Sequence, residues 1–238
     1  MTPANDPTRQ PGQFAGPGGP AKEEAAPAIA KQSRLIASVL SDKHRHHLCA
    51  FFHDHDEEFR RLLPFVVDGL AAGEKAIHIV NAKNREEHRE WLRESGIDVE
   101  AVEQSGQLEV VEGLSDGRTF DRYRALKIID HLLSAARQQG FRQTRFVGFM
   151  DWTLEVRSED LIAFETLVTP VFEKYNDPVI CAYDLSRFNG ADVIDVLRIH
   201  PAAFVGGVVQ QNPFYIPAEQ MLEKLRERGE VEHDGRER

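Results

Sequence analysis

The chain has 238 residues, 41% of them hydrophobic and 29% charged, with a formal net charge of −10. That balance suits a soluble globular protein and speaks against nonspecific binding to nucleic acid or to an anionic membrane, since both reward clustered Lys and Arg. No apolar run approaches the ~20 residues that cross a bilayer, and the N-terminus lacks the basic-then-apolar pattern of an export signal, so a cytoplasmic protein is expected.

Residues 1–28 are rich in Pro, Gly and Ala without periodicity, and are expected to be disordered. Residues 29–43 carry Ile29, Leu35, Ile36, Val39 and Leu40 at helical spacing, which predicts an amphipathic helix. The run from Leu48 to Phe52 reads as a buried first strand. It gives way at His53-Asp54-His55-Asp56 to a helix expected over 57–72, with Asp54 or Asp56 as cap, Pro64 inside it and Gly73 ending it. A second strand is expected over 75–80. Asn84 and Glu87 resemble a capping box for a helix that Gly96 stops.

The third strand is expected over 107–112, then a turn at Ser115-Asp116-Gly117 and a helix over 121–139. The fourth strand, 144–150, ends in Asp151-Trp152. Ser158 is the expected cap of the next helix. A fifth strand over 178–183 ends in Asp184, a short helix spans 190–200, and a sixth strand is expected over 203–209. A charged helix over 218–228 precedes a polar tail. Alternating strands and helices, with several strands apolar on both faces, predict an α/β domain over 44–217 with a mostly parallel central sheet and helices on both faces.

In a parallel sheet the ends of strands one, four and five share one edge, where open α/β sheets place ligand sites. Phe52, Met150, Trp152 and Tyr183 are the candidate walls of a pocket there, and His47, His53, Asp54, Asp151 and Asp184 the candidate polar groups. The competing reading makes the aromatics core and the aspartates helix caps. The loop after strand one holds carboxylates where a phosphate cradle holds glycines and a lysine, so a nucleotide triphosphate is not expected there.

His44, His46, His47, His53 and His55, with Cys49, Asp54 and Asp56, form a dense donor cluster. It has no regular metal-site spacing, and no metal or other cofactor is expected; His53, His55 and Asp56 are the weak candidates. Cys49 and Cys181 read as buried, reduced thiols, able to pair only if their strands are neighbours.

Several segments together resemble the MEDS domain, the sensory domain of methanogens, methylotrophs and the regulator DcmR. These are His47-Leu48-Cys49-Ala50-Phe51-Phe52 followed by acids, Pro64-Phe65, Gly69 to Lys75, Ser105-Gly106-Gln107-Leu108-Glu109, Gly148-Phe149-Met150-Asp151-Trp152, Cys181-Ala182-Tyr183-Asp184, His200-Pro201 and Asn212 to Pro217. The resemblance implies a RecA/KaiC-like three-layer α/β sandwich that lacks the phosphate-binding loop. It also implies recognition of small molecules, hydrocarbon derivatives among them.

Relatives are often fused to kinase, response-regulator or DNA-binding modules. The flanks here are too short for such a module with its own core, so a stand-alone, non-enzymatic sensor is expected. It would signal through a protein partner such as a kinase or transcription regulator, or by forming a homo-oligomer. The rival expectations are a metal-assisted hydrolase or degenerate ATPase, and a pure protein-interaction regulator without a ligand.

Overall fold

The computed structural model describes residues 47–114 and 120–231. Its strands are β1 (His47–Phe52), β2 (Lys75–Val80), β3 (Leu108–Glu112), β4 (Thr144–Phe149), β5 (Val179–Asp184), β6 (Ala202–Val205) and β7 (Val208–Gln211). They form one sheet in the order β3-β2-β4-β5-β1-β6-β7. Every neighbouring pair is parallel except β6 and β7. The helices are α1 (His55–Ala71), α2 (Arg85–Glu94), α3 (Val99–Gln104), α4 (Arg122–Gln138), α5 (Ser158–Tyr175), α6 (Gly190–Ile199) and α7 (Ala218–Glu227).

Every residue of β1, β2, β4 and β5 is buried. Side chains alternate between the faces, as the two-residue period of a strand requires. Leu48, Ala50 and Phe52 join a core with Phe59, Phe65 and Leu92 beneath α1 and α2, while Cys49 and Phe51 join the opposite core with Ile129, Phe164 and Tyr183 beneath α4 and α5. Helices thus cover both faces, giving the three layers expected of an α/β sandwich. The terminal helix α7 packs Met221 and Leu225 against Ala163 of α5 and Ile199. None of the described helices is long and apolar enough to cross a membrane.

Several local expectations are corrected. Asn84 is the N-cap of α2 but makes no capping bond; its amide donates instead to Asp151, 2.7 Å away. Ser158 is the first helical residue of α5 rather than its cap, and its hydroxyl donates to Asp192 at the start of α6. The helix α3 was not anticipated, although Asp98 caps it by accepting from the Ala101 amide. The expected sixth strand is a hairpin: Gly206 and Gly207 have φ of 58° and 85°, which a two-residue turn of the kind that joins antiparallel strands requires. The expected tail, the helix over 29–43 and the turn at 115–117 lie outside the described residues.

The crossing of α1 over β4 is close at Gly69. A methyl group there would lie 2.5 Å from Cδ of Arg145, whose guanidinium donates to the Glu74 carboxylate and the Phe65 carbonyl and so cannot swing aside freely. Gly69→Ala is expected to lower the unfolding free energy by about 1–3 kcal/mol through overpacking, outweighing the ~1 kcal/mol that alanine gains in helix propensity. A urea melt showing a neutral or stabilised variant would contradict this packing.

Candidate functional site

The parallel register brings the ends of β1, β4 and β5 to one edge, with Phe52 opposite Asp184 and Phe149 opposite Ala182. The residues expected to line a pocket there are nevertheless divided. Phe52 belongs to the core under α1, whereas Met150, Trp152 and Tyr183 belong to the core under α5. The alternation of strand side chains separates them. His53 is exposed and bonds Glu57 at 2.7 Å. Asp54 caps α1 by accepting from the Glu57 amide, and Asp184 accepts from the Ser186 amide. These two aspartates therefore serve backbone ends.

Asp151 differs. One carboxylate oxygen accepts from Asn84 and lies 3.4 Å from Arg187, while the other is buried with no hydrogen-bond partner among the described residues. Burial raises its pKa. Burial also raises that of Glu58, which bonds His55 at 3.1 Å and feels the charges of Asp151 and Asp184. The edge thus gathers Asp151, Glu58 and Asp184, with Arg187 and His55 set against the first two.

Beneath this edge, between the sheet and α4 and α5, lies a small cavity with ≈ 20 Å³ of free space, about enough for one water-sized body. Met150, Trp152, Ile129 and Phe164 are among its apolar walls, and Gly148 leaves room that a side chain would take. Two polar residues, Glu165 and Cys181, also line it. The indole Nε1 of Trp152 is buried without a hydrogen-bond partner among the described residues.

His47 does not reach the carboxyl edge. It stands at the start of β1, at the other end of the strand, and meets Glu165, Cys181 and His200 there. His47 Nε2 lies 3.1 Å from Cys181 Sγ and 3.3 Å from Glu165 Oε2, and His200 Nε2 lies 3.8 Å from the same oxygen. Thr169 spends its hydroxyl proton on the Glu165 carbonyl, so it accepts from His47 Nδ1 at 3.3 Å. His200 Nδ1 donates to the Val196 carbonyl at 2.8 Å. Both imidazoles therefore turn an Nε2 lone pair toward Glu165.

Burial holds both of these imidazoles at a pKa of about 3 and raises the pKa of Glu165. Burial, with the nearby Glu165 charge, also holds the Cys181 thiol well above its usual range. Cys49 is the register partner of Cys181, and both thiols are free and buried. The donor atoms that converge among the described residues are these four, not His53, His55 and Asp56; His44 and His46 lie outside the described residues.

Sequence reasoning missed Glu165 and treated His200 as part of a turn. A signal for Glu165 was present: it lies four residues after Leu161 and three before Val168, on the face of the helix that carries its apolar residues.

Residues 46–201, well over half of the chain, match the family model of the MEDS domain, the methanogen/methylotroph, DcmR sensory domain. The chain belongs to this family. Among solved structures, this MEDS chain is similar to the crystal structure of a KaiC-like protein from the hyperthermophilic archaeon Pyrococcus horikoshii OT3. The identity is 13% and the TM-score 0.47, over 66% of this chain and 69% of the other. No curated protein matches the MEDS chain in sequence.

A second buried pair, His78 of β2 and His88 of α2, faces the other core, with His78 Nδ1 2.9 Å from His88 Nε2. Burial holds His78 at a pKa of about 3 and lowers that of His88 well below its usual value. A histidine neutral when folded takes up a proton on unfolding below pH ~6.5, so its share of stability is intact above that pH and is lost as the pH falls toward 3. The raised carboxyls Glu58, Glu165 and Asp151 act in the opposite sense, which makes a difference between proteins more telling than one curve. His78→Gln is expected to flatten the pH dependence of stability between pH 6.5 and 5 by about 1.1 kcal/mol per pH unit on average, read from urea midpoints. Parallel curves for variant and wild type would mean that His78 is not held neutral.

Proposed function

We propose that this MEDS chain is a sensor that binds a small, largely apolar molecule in the cavity beneath Trp152 and passes the event to a protein partner, either a kinase or a transcription regulator. The observation that carries the reading is this small space itself, lined by apolar side chains and a few polar groups in a sensory domain. Its free space of ≈ 20 Å³ is far below the range of small-molecule sites, so a ligand, a short hydrocarbon derivative for instance, would have to open the space by displacing its walls. The unpaired indole N–H of Trp152 would suit one acceptor on that molecule, such as a hydroxyl, carbonyl or halogen.

The helix α5 supplies the means of transmission. Phe164, Glu165 and Phe172 line the cavity from one side of it, and Ala163 meets α7 from another. A ligand that prefers one placement of α5 would bias α7 by as much as that preference and no more.

A thermal-shift screen of short alcohols, ketones and halogenated alkanes tests this. A ligand present at about 100 times its Kd is expected to add about 2.7 kcal/mol of stability, a shift of several degrees in Tm. Gly148→Ala, whose methyl group would lie 3.2 Å from the Met150 sulfur inside the cavity, is expected to weaken that shift. A screen in which no compound moves Tm, or in which Gly148→Ala responds like wild type, would sink the proposal.

A further inference from the structure

We propose that His47, Glu165, Cys181 and His200 bind one divalent first-row transition-metal ion, zinc or iron(II), between α5 and the sheet. The four residues come from β1, α5, β5 and the junction of α6 with β6, and all four are buried. Each offers one donor atom, and these atoms all lie within 4.8 Å of one another. An ion bound tetrahedrally at ~2.0–2.3 Å sets its ligand atoms about 3.3–3.7 Å apart. The separations of 3.1, 3.3, 3.8 and 3.9 Å among these donors bracket that spacing.

Three further observations point the same way. Each imidazole already gives its Nδ1 proton away, His47 to Thr169 and His200 to the Val196 carbonyl, which fixes ring orientation and leaves Nε2 free to ligate. His200 Nε2 is wholly buried and has no hydrogen-bond partner among the described residues, although it faces the cluster. The only ion-pair partners of Glu165 among the described residues are His47 and His200, so no Lys or Arg offsets a carboxylate there. A dication displacing the protons of Glu165 and Cys181 would balance the two negative charges it creates.

Two imidazoles, a carboxylate and a thiolate are a mixed donor set that suits zinc or ferrous iron better than magnesium or calcium. With four protein ligands the site is closed, leaving no position for water, so the ion would hold β1, β5, α5 and the α6–β6 junction together rather than act on a substrate. The inference does not rest on the ligand proposal, although Glu165 and Cys181 also border the cavity. Thr169 is a positioning residue for His47.

The test is metal analysis of the full chain purified without chelators, followed by cobalt(II) reconstitution of the chelator-stripped protein under anaerobic conditions. About one equivalent of zinc or iron per chain is expected. The cobalt form is expected to show visible bands of tetrahedral intensity and a thiolate-to-cobalt charge-transfer band. Cys181→Ser should lose the charge-transfer band, and Thr169→Val should weaken affinity about 10- to 100-fold. His131→Gln, at an exposed histidine of α4, should bind like wild type.

Less than roughly a tenth of an equivalent after reconstitution of the wild type with zinc, iron(II) or cobalt(II) would overturn the proposal and leave an ion-free buried network. So would a cobalt spectrum without the thiolate band in the wild type, which needs no variant to fold, or one that survives Cys181→Ser.

Discussion

The parallel pairing of β1 with β5 is the constraint on which both candidate sites depend. Its register sets His47 against Val179 and Phe52 against Asp184, so one end of the pair gathers the acidic rim and the other the histidine cluster. Because successive side chains alternate, the same register puts Cys49 and Cys181 on the face that α5 covers. A slip of β1 by one residue would turn His47 and Cys49 to the opposite core and dissolve the cluster with Glu165. The burial of a carboxyl under α5 is tolerable only because this register supplies partners for it.

The two ends of the pair differ in solvent, and their chemistry follows from that. At the carboxyl edge His53 is largely exposed and Asp54 serves a backbone amide, so charge at these two is screened and inexpensive, while burial already weighs on Asp151 and Glu58. At the other end the polar groups sit in the dry interior, where charge is disfavoured: desolvation lowers the pKa of both imidazoles and raises that of Glu165. A sequence dense in His and Asp draws attention to the first place. The structure assigns more unusual physics to the second.

What could be read in the sequence was whatever local pattern determines. The apolar runs and their punctuation gave β2 at its full extent and β1 and β4 to within a residue, and the alternation of elements gave the parallel, doubly covered sheet. The strand ends at Phe52, Phe149 and Asp184 do share an edge. Strand parity was harder to use: which of two neighbouring residues faces α1 and which faces α5 depends on pairing, so Phe52 was grouped with Met150 and Trp152 across the sheet from it. The histidine cluster was least legible, since His47 and His200 are 153 positions apart and converge only through the order β5-β1-β6. Asn84 shows the same limit on a smaller scale, with a capping residue type whose side chain is taken by Asp151 instead.

Within α5, Pro170 lies one turn beyond Thr166. A proline has no amide hydrogen, so the Thr166 carbonyl lacks the donor that would continue the helical ladder. The two halves of α5 are therefore joined by one hydrogen bond fewer, at the level of Thr169 and the buried carboxyl it supports. Tilting the half that bears Ala163, Phe164 and Glu165 against the half that bears Phe172 meets less resistance there than anywhere else along the helix. The softest joint of the covering layer thus sits beside its most polar interior.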